Sequence, residues 1–167
     1  QSLKYYSREN GLSDNNIVAI QYNTAAQKLL IAYSNGNLDL LGESSTYNLP
    51  YLKNSTNLQD KTVNAICNDQ EKAYLAMNFG IIAINAAKDE VAETYRLNQA
   101  VRSVARQGET LYAATNNGLL MASTTDNLLD ATNWKAYTLQ TTLFAPSQIQ
   151  SISFFQERLC LFVKGKG

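Results

Sequence analysis

Apolar and polar positions alternate over short stretches of this chain, and the alternation recurs. Four times a branched apolar residue is followed by a variable one, a small one and a second branched apolar one. The copies are Ile17-Val18-Ala19-Ile20, Val63-Asn64-Ala65-Ile66, Val101-Arg102-Ser103-Val104 and Ile149-Gln150-Ser151-Ile152. A second apolar strand follows each, centred on Ala32, Ala76, Ala114 and Phe162. In the first three copies a glycine comes four residues later, at Gly36, Gly80 and Gly118. Alternation with period two predicts half-buried strands, and glycine between strands predicts tight turns.

The third copy is the clearest. Glu93–Leu97 reads as a strand, Val101–Arg106 as the next, and Gln107-Gly108-Glu109 as a hairpin turn. Thr110–Thr115 and Leu119–Ser123 flank a turn at Asn116-Asn117-Gly118, and Trp134–Leu139 reads as an outer strand. Outer strands are also expected at Leu3–Tyr6, Thr46–Leu49 and Thr94–Leu97, with Tyr6, Tyr47, Tyr95 and Tyr137 in matching places. Helical periodicity is weak; its best stretch, Thr124–Ala131, is expected to be a loop. A strand-built repeat of this length predicts the four-stranded blades of a β-propeller. The repeats run over approximately 1–47, 48–95, 96–138 and 139–167, the last truncated. The small residues Ala19, Ala65, Ser103 and Ser151 suit innermost strands, where blades converge.

The expected fold class is therefore all-β: a partial, open-arc propeller of about three complete four-stranded antiparallel blades plus a truncated fourth. The chain opens on an outer strand and stops at Lys164-Gly165-Lys166-Gly167, where a third strand of the fourth blade is expected. Such an arc bares an apolar blade face at each end, and both faces are expected to be covered, by more chain or by a second copy.

Composition narrows function mainly by exclusion. Fourteen basic and fourteen acidic residues give a formal net charge of zero, so no nucleic-acid patch is expected. There is no histidine, which removes imidazole bases and the commonest metal ligand. Cys67 and Cys160 occupy non-equivalent positions of non-adjacent repeats and read as two small hydrophobes without a disulfide. No Gly-x-Ser-x-Gly elbow occurs, and Asp14-Asn15-Asn16 lacks the spacing of a calcium loop. Glu43 and Asp89-Glu90 fall in turns. The reading is a non-enzyme with no catalytic residue, metal or cofactor, and no membrane span in this stretch.

What remains is a binding surface. Loops entering each innermost strand, and those joining second to third strands, gather on one propeller face. They comprise Glu9–Asn16, Ser34–Asn37, Tyr51–Thr62, Asn78–Phe79, Leu97–Ala100, Asn116–Asn117 and Gln140–Gln148. Their side chains are mostly amides and hydroxyls, with Tyr51 and Phe79 as aromatic surfaces suited to sugars. Arg102 and Lys61 are the cations near this face and suit phosphate or carboxylate. The candidate ligand-binding residues are Asn16, Asn35, Lys61, Asn78, Phe79, Arg102, Asn116 and Asn117.

The segment Asn10-Gly11-Leu12-Ser13-Asp14-Asn15-Asn16-Ile17 resembles the opening of two-component-regulator propeller repeats, and Tyr112-Ala113-Ala114-Thr115-Asn116-Asn117-Gly118-Leu119 resembles their Trp-Ile-Gly-Thr-x-x-Gly-Leu strand. Asn10–Ile17 with Leu29–Asp39, Asp60–Asn64 and Ala73–Ile81 looks more closely like the first propeller of PorZ-type proteins, over residues 3 to 125. That resemblance implies a cell-surface or periplasmic part of the Bacteroidetes type IX secretion system. It implies a non-catalytic binding or scaffold module of the attachment complex, with secretion-complex proteins and anionic lipopolysaccharide or glycan as partners. It implies a longer parent with two propellers and a C-terminal sorting domain, of which this chain is about half of the first propeller. The more distant resemblance implies instead a ligand-sensing ectodomain fragment of a hybrid two-component regulator that binds oligosaccharides.

Overall fold

A computed structural model describes residues 3–58, 60–141 and 143–166. Four antiparallel sheets follow one another along the chain. The first holds β1 (Ile17–Asn23), β2 (Lys28–Tyr33), β3 (Leu38–Leu41) and β4 (Thr46–Leu49). The second holds β5 (Val63–Asp69), β6 (Lys72–Met77), β7 (Gly80–Asn85) and β8 (Glu90–Arg96). The third holds β9 (Val101–Gln107), β10 (Thr110–Thr115), β11 (Gly118–Ser123) and the two-residue β12 (Lys135–Ala136); the fourth is a hairpin of β13 (Ile149–Phe155) and β14 (Arg158–Val163). Strands pair in chain order within every sheet.

The sheets stack through their faces. One core lies between the first and second sheets, built on Leu30, Leu40, Leu75 and Ile82; a second lies between the second and third, around Ile81, Tyr95, Leu111 and Trp134. A third, around Ala114, Ile149 and Ile152, joins the third and fourth. β6 and β7 are covered on both faces, which is why they read as continuous apolar runs and not as alternations. Contacts between successive sheets run mainly through β1, β5, β9 and β13, so these first strands are the inner edge on which the blades converge. The fold is a partial, open β-propeller of three complete blades and a two-stranded fourth.

The small residue of the first three repeats has a structural reason, whereas Ser151 of the fourth opposes Phe162. Ala19 pairs with Ala32, Ala65 with Ala76 and Ser103 with Ala114. Small faces small on the inner edge, and the next blade approaches there. Ser103 Oγ goes further: it accepts from Ile152 N at 3.2 Å and donates to Ile152 O at 3.4 Å, tying the third blade to the fourth.

Several strand expectations are corrected. Residues 3–6 form no strand, and Leu3 and Tyr5 project into solvent. A strand needs a hydrogen-bonding neighbour, and none among the described residues offers its edge to this segment. Instead Tyr6 and Leu12 pack over Ile31 and Tyr33 on the outer face of the first sheet. The outer strand expected over Trp134–Leu139 shrinks to Lys135 and Ala136 with one further bond from Tyr137 N to Leu119 O, and Trp134 turns inward to fill the second core and donates Nε1–H to Leu128 O. Tyr47 is not equivalent to Tyr95. Tyr47 opposes Leu40, four residues past its turn glycine, and is exposed; Tyr95 opposes Ile81, one residue past Gly80, and is buried. Tyr137, whose N–H donates to Leu119 O, does match Tyr95. The loop after β4 contains a one-turn helix α1 (Tyr51–Asn54), and single 3-10 turns lie at Ala131–Asn133 and Pro146–Gln148. No helix among the described residues is long and apolar enough to cross a membrane.

Candidate functional site

Every inner strand carries a β-bulge at the same place. Pairing shifts between Ile17 and Ala19, Val63 and Ala65, Val101 and Ser103, and Ile149 and Ser151. The extra residue is the variable second position: Val18, Asn64, Arg102 and Gln150. A bulge leaves its extra residue outside the ladder and re-aims its side chain. Three of these four side chains come together in an open cleft of about 510 Å³, lined by Asn64, Asn78, Ala100, Arg102, Asn116 and Gln150.

Two of the bulged side chains reach the next blade at the same point. Asn64 Nδ2 donates to Val101 O at 2.7 Å, and Arg102 Nη1 to Ile149 O at 3.1 Å. Asn64 Nδ2 also donates to Asn78 Oδ1, and Asn78 Nδ2 donates to Asp60 Oδ2 at 2.6 Å. Led by this bond and helped by the Thr62 N–H, the network holds the Asp60 carboxyl below its ordinary range. Arg102 Nη1 further donates to Thr115 O and Ser147 O. Its Nε and Nη2 donate to no protein group, and it forms no ion pair, among the described residues. Among the described residues no carboxylate and no aromatic ring lines the cleft. Its floor thus offers one guanidinium edge beside the amides of Asn116 and Gln150, an arrangement able to bind an oxyanion through paired N–H donors.

The expected site residues separate into two groups. Asn78, Arg102 and Asn116 meet in this cleft. Asn16 is exposed in the left-handed region, φ 59°, and accepts from Ser34 N. Asn35 Nδ2 donates to Asp14 Oδ2 at 2.6 Å, and Asn117 Nδ2 to Gln99 Oε1 at 3.0 Å. Lys61 lies over Gly36 with its Nζ donating to Lys53 O. Phe79 packs against the first core with Arg96 over its ring, 5.9 Å from the centroid. Tyr51 stands apart from the cleft, its hydroxyl 3.5 Å from Thr94 Oγ1. Asn64 and Gln150 were not among the expected residues; their shared second position in the repeat was the signal that marks them. Asp14 serves a turn: it accepts from Asn35 first, then Lys53 Nζ and Asn15 N, and these bonds push its carboxyl well below the ordinary range. Cys67 and Cys160 are free thiols in different sheets.

The bulged, amide-lined inner edge and the Gly-Leu-Ser segment docked on the first sheet bring known families into comparison. The family model of the PorZ N-terminal β-propeller domain of the type IX secretion system matches residues 1–135. This chain belongs to that family. Its fold is similar to a solved structure of PorZ from Porphyromonas gingivalis, described as an essential bacterial surface component of the type IX secretion system. Identity is 30% and the TM-score 0.87, over 95% of this chain and 21% of that one. The present chain therefore spans about a fifth of that relative's length. The extracellular domain of the hybrid two-component system BT4673 from B. thetaiotaomicron shares the fold at 19% identity and TM-score 0.60, over 91% of this chain and 21% of that one. The Pan2 WD40 domain of Neurospora crassa shares it at 10% identity and TM-score 0.58, over 89% and 44%. No curated protein matches in sequence. The chain is thus a PorZ-family β-propeller module, of a fold also found in the extracellular domain of BT4673.

Proposed function

We propose that this PorZ-family segment is a non-catalytic binding and scaffold module at the cell surface or in the periplasm, within a secretion and attachment complex, and that its axial cleft receives an anionic group of lipopolysaccharide or of a partner protein. The carrying observation is Arg102. One side of its guanidinium is anchored on main-chain carbonyls, and among the described residues its other side meets no acceptor and no carboxylate pairs with it. A guanidinium prepared this way loses little freedom when it meets a planar or tetrahedral oxyanion.

The alternative, an oligosaccharide-binding sensor fragment, draws on the likeness of fold to the sensor ectodomain. Neutral sugars are commonly held by stacking on aromatic faces, and the cleft has none, which favours the anionic ligand. The test uses full-length protein and purified anionic lipopolysaccharide. Arg102→Ala is expected to weaken binding about tenfold or more, the effect of losing one charge-assisted contact. Lys61→Ala is expected to leave it unchanged, because Lys61 Nζ is already engaged with Lys53 O. Unchanged affinity in Arg102→Ala removes the cleft from the argument.

A further inference from the structure

We infer that occupancy of the axial cleft and docking of the fourth blade are a single coupled equilibrium, with Arg102 as the shared element. The inference rests on the reading that the cleft takes an anion, and adds how binding is communicated. Arg102 sits on β9, in the third blade. Two of the three carbonyls it holds, Ser147 O at 2.8 Å and Ile149 O at 3.1 Å, belong to the segment entering the fourth blade. The third, Thr115 O at 3.2 Å, belongs to its own sheet. The opposite wall of the cleft is Gln150, from the fourth blade itself. When that blade lifts away, the guanidinium loses two acceptors and the cleft loses a wall.

The coupling runs both ways. The guanidinium is planar and rigid, so an oxyanion held on its Nε and Nη2 side also fixes the plane in which Nη1 meets Ser147 O and Ile149 O. Whatever docking contributes to binding, binding returns to docking. Neither of the other described junctions has this device. Asn64 divides its Nδ2 between Val101 O and Asn78 Oδ1, and Val18 has no donor. Besides Arg102, the described polar ties of the fourth blade to the third blade's strands are those of Ser103 with Ile152.

The ligand chemistry is a carboxylate or a phosphate, and the two sources are separated by using inorganic phosphate and galacturonate as probes on the full-length protein. Titration calorimetry measures binding, and hydrogen exchange read by mass spectrometry follows residues 149–155 against 63–69. The expected result is exchange slowed several-fold at 149–155 by whichever probe binds, with 63–69 unchanged. In Arg102→Lys a donor to the carbonyls remains while the second edge is gone. That variant is expected to retain the unliganded protection of 149–155 and to lose the probe-induced part. Binding with no change at 149–155, or equal slowing at both segments, overturns the coupling and leaves the anion site standing. Absence of binding by either probe overturns both. Probe-induced protection that persists undiminished in Arg102→Lys removes Arg102 as the shared element.

Discussion

The Tyr33 hydroxyl donates to Asp39 Oδ2 at 2.6 Å, and neither residue is reached by solvent. The same carboxylate accepts from Ser13 N at 2.8 Å and from Asn48 Nδ2 at 2.9 Å. One buried side chain on β3 therefore collects its neighbour on β2, the outer strand β4 and the Gly-Leu-Ser segment that crosses the sheet. Asp39→Ala strands the buried Tyr33 hydroxyl and the Ser13 N–H, while Asn48 Nδ2 keeps Asn37 Oδ1 and Leu38 O, and is expected to cost about 3–5 kcal/mol. Tyr33→Phe removes one donor and leaves Asp39 two, so about 1.5–3 kcal/mol is expected. Chemical denaturation of the two variants checks the order; a larger loss in Tyr33→Phe would show that Asp39 is not the hub.

Tyr33 and Tyr95 also predict the alkaline behaviour. Burial, and then a hydrogen bond to a carboxylate, pushes both phenols well above their ordinary value. The partners are Asp39 and Glu93. A raised pKa in the folded state means that this contribution is complete below the unfolded phenol value of about 10 and is lost as pH rises beyond it. These two phenols are expected to ionise only together with unfolding. Absorbance at alkaline pH compared with circular dichroism tests this. Full tyrosine ionisation with native dichroism would contradict it.

On the acid side the sign reverses. Asp14 and Asp60 are lowered in the folded chain, by Asn35 and Lys53 in one case and by Asn78 and Thr62 in the other. Their contribution is present above the unfolded carboxyl value of about 4 and is lost as pH falls below it. Asp14→Asn and Asp60→Asn are therefore expected to flatten the fall of stability below that value. A slope identical to that of the parent in both variants would mean that these turn networks hold no proton-linked stability.

The architecture was legible because the repeat carries its own geometry. A small residue opposite an alanine, at Ala19–Ala32, Ala65–Ala76 and Ser103–Ala114, is readable from spacing alone. The cleft was half legible. Asn78 and Asn116 stand two residues before turn glycines, where loop reasoning looks first. Asn64 and Gln150 stand inside strands, where a period-two reading assigns every side chain to one of two faces. The bulge breaks that rule, and nothing in a single strand's composition announces it. Comparison of the second positions across all four copies would have. Register in outer strands was least legible, because a tyrosine fits either face: Tyr47 sits outside and Tyr95 inside. Lys61, Asn35 and Asn117 lie outside the cleft and spend donors on neighbouring groups, Lys53 O, Asp14 Oδ2 and Gln99 Oε1, as amides and ammonium groups in turns commonly do.

Two turn glycines predict opposite tolerances. A Cβ on Gly80, at φ +150°, would lie 2.0 Å from Tyr95 O, inside the β7–β8 ladder. A Cβ on Gly108, at φ +56°, would meet nothing within 4 Å. Gly80→Ala combines a conformation closed to other residues with a backbone clash, and is expected to cost about 3–4 kcal/mol. Gly108→Ala bears only the left-handed penalty of about 1–2 kcal/mol. Thermal unfolding of the pair decides, and equal shifts would mean that the β7–β8 ladder yields where it is drawn rigid.

The exposure of equivalent residues predicts association. Ile20 and Val104 occupy the same position of the repeat, yet Ile20 is 59% exposed and Val104 5%. The difference is the neighbouring sheet that covers Val104. Ile17 and Tyr22 share the open position of Ile20, and Phe155 and Phe162 are exposed at the opposite end of the stack. Two apolar faces at opposite ends of one body make a head-to-tail contact, which is open to further addition unless it closes into a ring. The 167-residue chain made alone is expected to sediment as concentration-dependent oligomers, and Ile20→Lys with Phe162→Lys to shift it toward monomer, because each places a charge that the contact would have to bury. Either single substitution should suffice to stop growth, since a head-to-tail contact uses both faces at once. A monodisperse monomer at all concentrations in the parent chain would show that these faces are not adhesive as drawn.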